Sequence, residues 1–175
     1  MIFHTLPLQG PLRIEFEPRQ DARGYFMRAF CARELKDHAV DFRIAQINRS
    51  RTTRRGTLRG MHFQKEPHAE AKIISCLQGK IYDVLVDIRQ DSPTYRKWIS
   101  IELATEKNSA VYVPPGFAHG FETLEDECEV EYCMSEFYYP ETSSGLRWND
   151  PLLNIVWPIA SPMLSDRDAK WPLLV

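Results

Sequence analysis

The sequence predicts an all-β protein: an antiparallel β-sandwich of jelly-roll type, with short helices and an irregular C-terminal tail. Three observations predict it. Short runs alternate apolar and polar residues with period two, the spacing at which neighbouring side chains leave opposite faces of a strand. Turn signals separate these runs about every ten residues, as in sandwiches and barrels. Strand-like runs never alternate with long helical ones, so no parallel sheet is indicated.

In order, residues 45–50 put Gln46, Asn48 and Ser50 on one face and Ala45 and Ile47 on the other. Residues 73–77 lead through Gln78-Gly79 to 81–88, where Tyr82, Val84, Val86 and Ile88 share a face. In 98–103 Ile99, Ile101 and Leu103 face in; in 128–134 Cys128, Val130, Tyr132 and Met134 do. Residues 111–113 run into Pro114-Pro115-Gly116. Short helices are expected at 31–37 and 165–170, and from about Tyr139 prolines and tryptophans predict an irregular tail packed over a sheet.

The 175 residues suffice for one domain, 1–175, with a sizeable core. A formal net charge of -2 argues for neither nucleic acid nor an anionic membrane as partner. No apolar run is long enough to span a bilayer and no signal-peptide pattern is present, so a cytoplasmic protein is expected. The four cysteines form no CxxC pair and read as reduced thiols, without disulfide or zinc roles.

Several strands carry polar residues on a sheltered face: Gln46 and Asn48, His62 and Gln64, and Lys72 beside Ile74 and Cys76. Tyr132 sits on the apolar side of its own strand. Buried polar groups are costly unless paired, so their convergence predicts a wet lumen that holds a ligand. In the stretch LRGMHFQKEPHAEAK, strand parity sends His62 and Gln64 one way and Arg59 the other. A histidine, a lysine and an arginine this close suit an anionic substrate.

The blocks DARGYF (21–26), QIN (46–48), LRGMHFQ (58–64), Lys72, DVLVDIR (83–89), PPGFAHGF (114–121), WNDP (148–151) and SDRD (165–168) occur in order. Together they resemble the dTDP-4-dehydrorhamnose 3,5-epimerase family, cupin-like nucleotide-sugar epimerases, over nearly the whole chain. A wider cupin comparison offers a metal-dependent enzyme as rival, since Pro114-x-Gly116-x-x-His119 resembles the second cupin motif. With Gln64 as companion and no carboxylate completing a set with His62 and His119, no metal and no cofactor are expected.

The resemblance implies proton removal beside the C4 ketone of a nucleotide-linked 4-keto-6-deoxy sugar and reprotonation on the opposite face. His62 is the base, suited by an unperturbed pKa of about 6.5. Asp168 orients it, Lys72 offsets charge on the C4 oxygen, and Tyr132 is the acid. Plain alternatives exist: Asp168 as part of a Ser-x-x-Asp helix cap, Lys72 as a solvated edge lysine, Tyr132 as a core tyrosine. His4, His38 and His68 read as surface residues.

Still by resemblance, Arg23 and Arg59 bind the diphosphate, Gln46 and Asn48 the nucleotide, Phe26 and Tyr138 the base, and His119 the sugar. Arg23 and Phe26 reach a neighbour's site through exchanged N-terminal strands, which implies a homodimer. Arg28, Ser143 and Arg167 stand where the family has Glu, Glu and Lys; Arg28 and Arg167 remain expected substrate contacts. An arginine cannot accept from the N3–H of thymine, so Arg28 raises a CDP- or GDP-linked sugar as alternative. Inversion at one centre only is a second.

Overall fold

Two antiparallel sheets face each other in the computed structural model, which describes residues 1–174. In chain order the strands are β1 (Ile2–Thr5), β2 (Leu12–Glu15), β3 (Arg19–Asp21), β4 (Gly24–Phe26), β5 (Gln46–Thr52), β6 (Leu58–Gln64), β7 (Lys72–Gln78) and β8 (Lys80–Asp87). Then come β9 (Trp98–Ala104), β10 (Ser109–Val113), β11 (Phe117–Thr123), β12 (Cys128–Met134) and β13 (Ser143–Gly145). Helix α1 is Ala32–Asp37 and α2 is Asp166–Ala169, both where the sequence predicts them. One sheet runs β1-β2-β10-β7-β12-β5, the other β13-β6-β11-β8-β9, and β3-β4 form a separate hairpin.

Strand parity explains where the apolar residues go. Ile74, Cys76, Val111, Val113, Cys128 and Val130 of the first sheet meet Ile81, Leu85, Leu103 and Phe121 of the second in the central core. The outer face of the first sheet (Ile14, Ile73, Ala110, Tyr112) is covered by Phe16, Leu35 of α1, Val40 and Phe42. The outer face of the second (Val84, Val86, Ala118) is covered by tail residues Leu146, Leu153, Ile155 and Trp157. Tyr82, Val84, Val86 and Ile88 do share one face, and the tail packs over it as expected.

Apart from β1–β4, which the alternating runs leave unassigned, two elements differ from the sequence reading. The tail contributes a strand, β13, which pairs with β6 and extends the second sheet. Strand β11 shows no alternation because every residue in it is buried; a strand covered on both faces loses the period-two signal. It nonetheless lies at the centre of its sheet, between β6 and β8.

Candidate active site

A cavity of about 760 Å³ opens between the two sheets, lined by residues of both. Cross-strand register builds its wall on the first sheet in rows. Gln46, Met134 and Lys72 stand opposite one another, then Asn48, Tyr132 and Ile74, then Ser50, Val130 and Cys76. Polar residues therefore face the lumen where the apolar core gives way to it.

The second sheet supplies His62. Its Nε2 lies 2.6 Å from Asp168 Oδ1, and its side chain is 42 % exposed, toward the cavity. Asp168 makes two contacts at once: its backbone N–H donates to the Ser165 hydroxyl that caps α2, and its carboxylate meets the His62 imidazole. Trp171 Nε1 donates to the same carboxylate at 3.2 Å. Burial alone would raise the Asp168 pKa, but the hydrogen bond and charge of His62, with N–H donors from Gly60 and Trp171, hold it below the usual carboxylate range. An ionised Asp168 makes His62 Nε2 the donor and leaves Nδ1 as the basic nitrogen.

A second histidine–aspartate pair lies alongside, and the sequence reading missed its carboxylate. His119 stands directly across from His62 in the β6–β11 ladder. Its Nε2 is 2.7 Å from Asp83 Oδ2, with side chains 5 % and 0 % exposed. Burial pushes the Asp83 pKa up against the pull of His119 and Lys72, and pushes His119 down despite Asp83. The other Asp83 oxygen has no hydrogen-bond partner among the described residues. Reading β8 by its Tyr82-Val84-Val86 face hid Asp83, which faces inward between Ile81 and Leu85; a carboxylate at a buried parity position was the available signal.

Lys72 is no solvated edge residue: it is 6 % exposed at the start of an interior strand. Its Nζ lies 3.0 Å from Glu70 Oε1 and donates to the His62 carbonyl at 3.2 Å. Tyr132 reaches in from the first sheet, its hydroxyl 3.1 Å from Ser50 Oγ. Burial raises the Tyr132 pKa well above its ordinary value, outweighing the bond to Ser50, so the phenol stays protonated.

Arg59 corrects the sequence reading. Regular parity would turn it away from His62, yet both line the cavity. His119 pairs with His62 but Phe121 pairs with Arg59, so three residues of β6 span two of β11. This bulge inserts one residue and reverses the parity beyond it. It needs glycines: a Cβ on Gly60 would lie 2.5 Å from Gly120 Cα. Arg59 is then held by Nε donation to Thr52 Oγ1 at 3.0 Å.

At the mouth, Gln64 is a structural brace. Its Nε2 donates to the His68 and Phe137 carbonyls and its Oε1 accepts from Tyr139 N. Gln46 Oε1 accepts from Tyr138 N at 3.1 Å. His68 is half-buried and not merely a surface residue, since it stacks on Tyr139 with ring centroids 3.5 Å apart; His38 is exposed as expected, resting on Phe3. Arg167 Nη2 donates to Ser143 Oγ at 2.7 Å. Hydrogen bonds from Ser143 and Arg167 lower the Tyr138 pKa.

His62, Lys72, Tyr132, Asp168, Gln46, Asn48, Arg59, His119, Tyr138 and Arg167 thus meet in one cavity. Arg23, Phe26 and Arg28 do not line it. Arg23 pairs with Asp21 at 2.6 Å, Phe26 is 74 % exposed, and Arg28 donates to Glu34 on α1 at 2.7 Å. Among the described residues, no three His, Cys, Asp or Glu side chains group as metal ligands, and no helix is long and apolar enough to cross a membrane.

A family model described as dTDP-4-dehydrorhamnose 3,5-epimerase matches residues 5–175. A dTDP-4-dehydrorhamnose 3,5-epimerase from Shigella flexneri is 42% identical over 157 residues, 87% of this chain and 86% of that one. The crystal structure of dTDP-4-dehydrorhamnose 3,5-epimerase from Bacillus anthracis with TDP and PPi bound matches with a TM-score of 0.96 and 40% identity, covering 99% of both chains. A 3'-monoepimerase from Streptomyces bikiniensis, in complex with dTDP-quinovose, matches with a TM-score of 0.90 and 34% identity over 97% of this chain and 86% of that one.

Proposed function

This chain belongs to the dTDP-4-dehydrorhamnose 3,5-epimerase family and is an isomerase; we propose that it inverts C3 and C5 of a dTDP-linked 4-keto-6-deoxy sugar by proton transfer alone. The observation that carries this is the placing of His62 and Tyr132 on facing sheets of one cavity.

His62 Nδ1 takes the proton from the carbon beside the ketone, and the C–H electron pair moves to form an enolate with its charge on the C4 oxygen. Asp168 stabilises the resulting imidazolium, as the carboxylate of a histidine–aspartate dyad does. Lys72 faces the growing negative charge; one such preorganised donor is worth roughly 3–4 kcal/mol of barrier. Tyr132 returns a proton to the opposite face of the ring, restoring the ketone with that centre inverted. The second centre repeats the cycle after solvent resets both groups.

Arg59 holds the diphosphate, where a guanidinium fork matches phosphate oxygens. Gln46 and Asn48 contact the nucleotide, Tyr138 and Arg167 its base end, and His119 the sugar. Arg23 and Phe26, on the exposed β3–β4 hairpin, complete the site of a second copy in a homodimer with exchanged N-terminal strands. The chain works as one domain in the cytoplasm, in keeping with its four free cysteines. The ion pair of Arg28 Nη1 with Glu34 at 2.7 Å supports a dTDP-linked substrate over a CDP- or GDP-linked one.

Proton NMR of dTDP-4-keto-6-deoxyglucose in heavy water with enzyme added tests the reaction. Deuterium enters at both C3 and C5. Exchange at C3 alone makes the protein a mono-epimerase, and exchange at neither carbon removes the proposal. In thermal-shift titrations dTDP stabilises the protein more than CDP or GDP; the reverse order returns Arg28 to the base.

A further inference from the structure

We propose that Glu70 is a positioning residue for the epimerisation, a buried carboxylate that sets where Lys72 presents its charge to the substrate carbonyl. The inference rests on the role given to Lys72 above. Glu70 sits in the short connection between β6 and β7, and its side chain is 4 % exposed beside a Lys72 side chain 8 % exposed. One carboxylate oxygen takes the Lys72 ammonium at 3.0 Å, and the other accepts the Gln64 backbone N–H at 3.0 Å. The carboxylate therefore fastens the last residue of β6 to the first of β7, with the cavity beside it.

Chemistry calls for a carboxylate at this point. Both partners are donors, so the side chain must offer two acceptors and no donor, and a glutamine would turn its NH2 toward one of them. Lys72 has three N–H donors, of which Glu70 and the His62 carbonyl take two. The third is left for the cavity that Lys72 lines.

A competitor shows what Glu70 prevents. Asp83 also attracts Lys72, and Asp83 Oδ1 has no hydrogen-bond partner among the described residues. Without Glu70 the ammonium is drawn toward that oxygen and away from the place where Glu70 holds it. Glu70 acts through Lys72; it touches no reacting atom.

A double-mutant cycle on kcat and KM tests this. In Glu70→Gln kcat falls roughly 10- to 100-fold, the size expected of a misplaced catalytic group, while KM and dTDP stabilisation stay near native. In a Lys72→Ala background the same substitution changes kcat less than about 2-fold, because groups acting as one unit are non-additive. Should Glu70→Gln not fold, Glu70→Asp keeps both acceptors with a shorter reach, and its smaller loss of kcat also vanishes without Lys72. Equal losses in both backgrounds, or a lower melting temperature with native kcat, overturn the role of Glu70 alone. Native kcat in Lys72→Ala instead removes the role of Lys72, and this inference with it.

Discussion

The two histidine–aspartate pairs have nearly the same geometry and opposite surroundings. His62–Asp168 closes at 2.6 Å and His119–Asp83 at 2.7 Å, with the histidines directly opposed on neighbouring strands. The His62 side chain is 42 % exposed, however, and that of His119 only 5 %. A base must both meet substrate and carry a positive charge. His62 can do so, since it opens on the cavity and its carboxylate is held ionised. Burial presses the inner pair toward its uncharged forms. In the mechanism we propose, proton traffic therefore belongs to the outer pair, and the inner one serves to stiffen the cavity wall beside the sugar.

The widest separation expected between the pairs is in turnover. His62→Ala lowers kcat about 10²- to 10⁴-fold, the usual worth of a positioned general base, and leaves dTDP binding near native. Tyr132→Phe also stops inversion, yet deuterium still enters the substrate carbon that His62 deprotonates. If neither carbon exchanges in Tyr132→Phe, the acid and base have been assigned the wrong way round.

Stability reverses the ranking. His119→Ala leaves the buried Asp83 carboxyl without its hydrogen-bond partner, a loss expected to cost about 1–3 kcal/mol and measurable by denaturant unfolding. His62→Ala, with its ring open to the cavity, costs less. The comparison breaks if His119→Ala unfolds no more easily than His62→Ala.

That contrast was only half legible in the sequence. Strand parity placed Tyr132, Gln46 and Asn48 on the inward face, and put His62 and Lys72 there because each lies two residues from another inward position. Arg59 was assigned to the wrong face because the β6 bulge reverses parity, and it arises from a close Gly60–Gly120 approach between strands far apart in sequence. Asp83 was missed for a related reason: in β8 both faces are buried, and hydrophobic residues on one side masked a carboxylate on the other. Glu70 lies in a connection, where no periodicity exists to give it a direction. The link from Asp168 to His62 spans 106 residues, so only resemblance could suggest it. Most of the fold came through, because sheets covered by a helix-bearing segment and a tail still alternate on most strands.

The smallest effect separating the pairs is in pH dependence, where their signs differ. Asp168 has a depressed folded pKa. Its contribution is present above its unfolded value of about 3.9 and is lost as pH falls through the lower folded value. Asp83 has a raised one: the folded state binds its proton more readily, so this contribution exists at low pH and is lost as pH rises through the folded value. His119, depressed by burial with Lys72 and His62 pushing the same way, adds stability above about 6.5 that is lost on acidification. Within the inner pair the two dependences oppose each other. Asp168→Asn should therefore flatten the acid side of a melting-temperature profile. Asp83→Asn should steepen it below about pH 6.5, by exposing the His119 dependence that Asp83 had countered. Each change amounts to a few degrees, since about 1 kcal/mol moves the midpoint by roughly 2–4 °C in a domain of this size. Parallel profiles for both variants would mean that the two pairs feel the same environment, and that burial does not divide their roles.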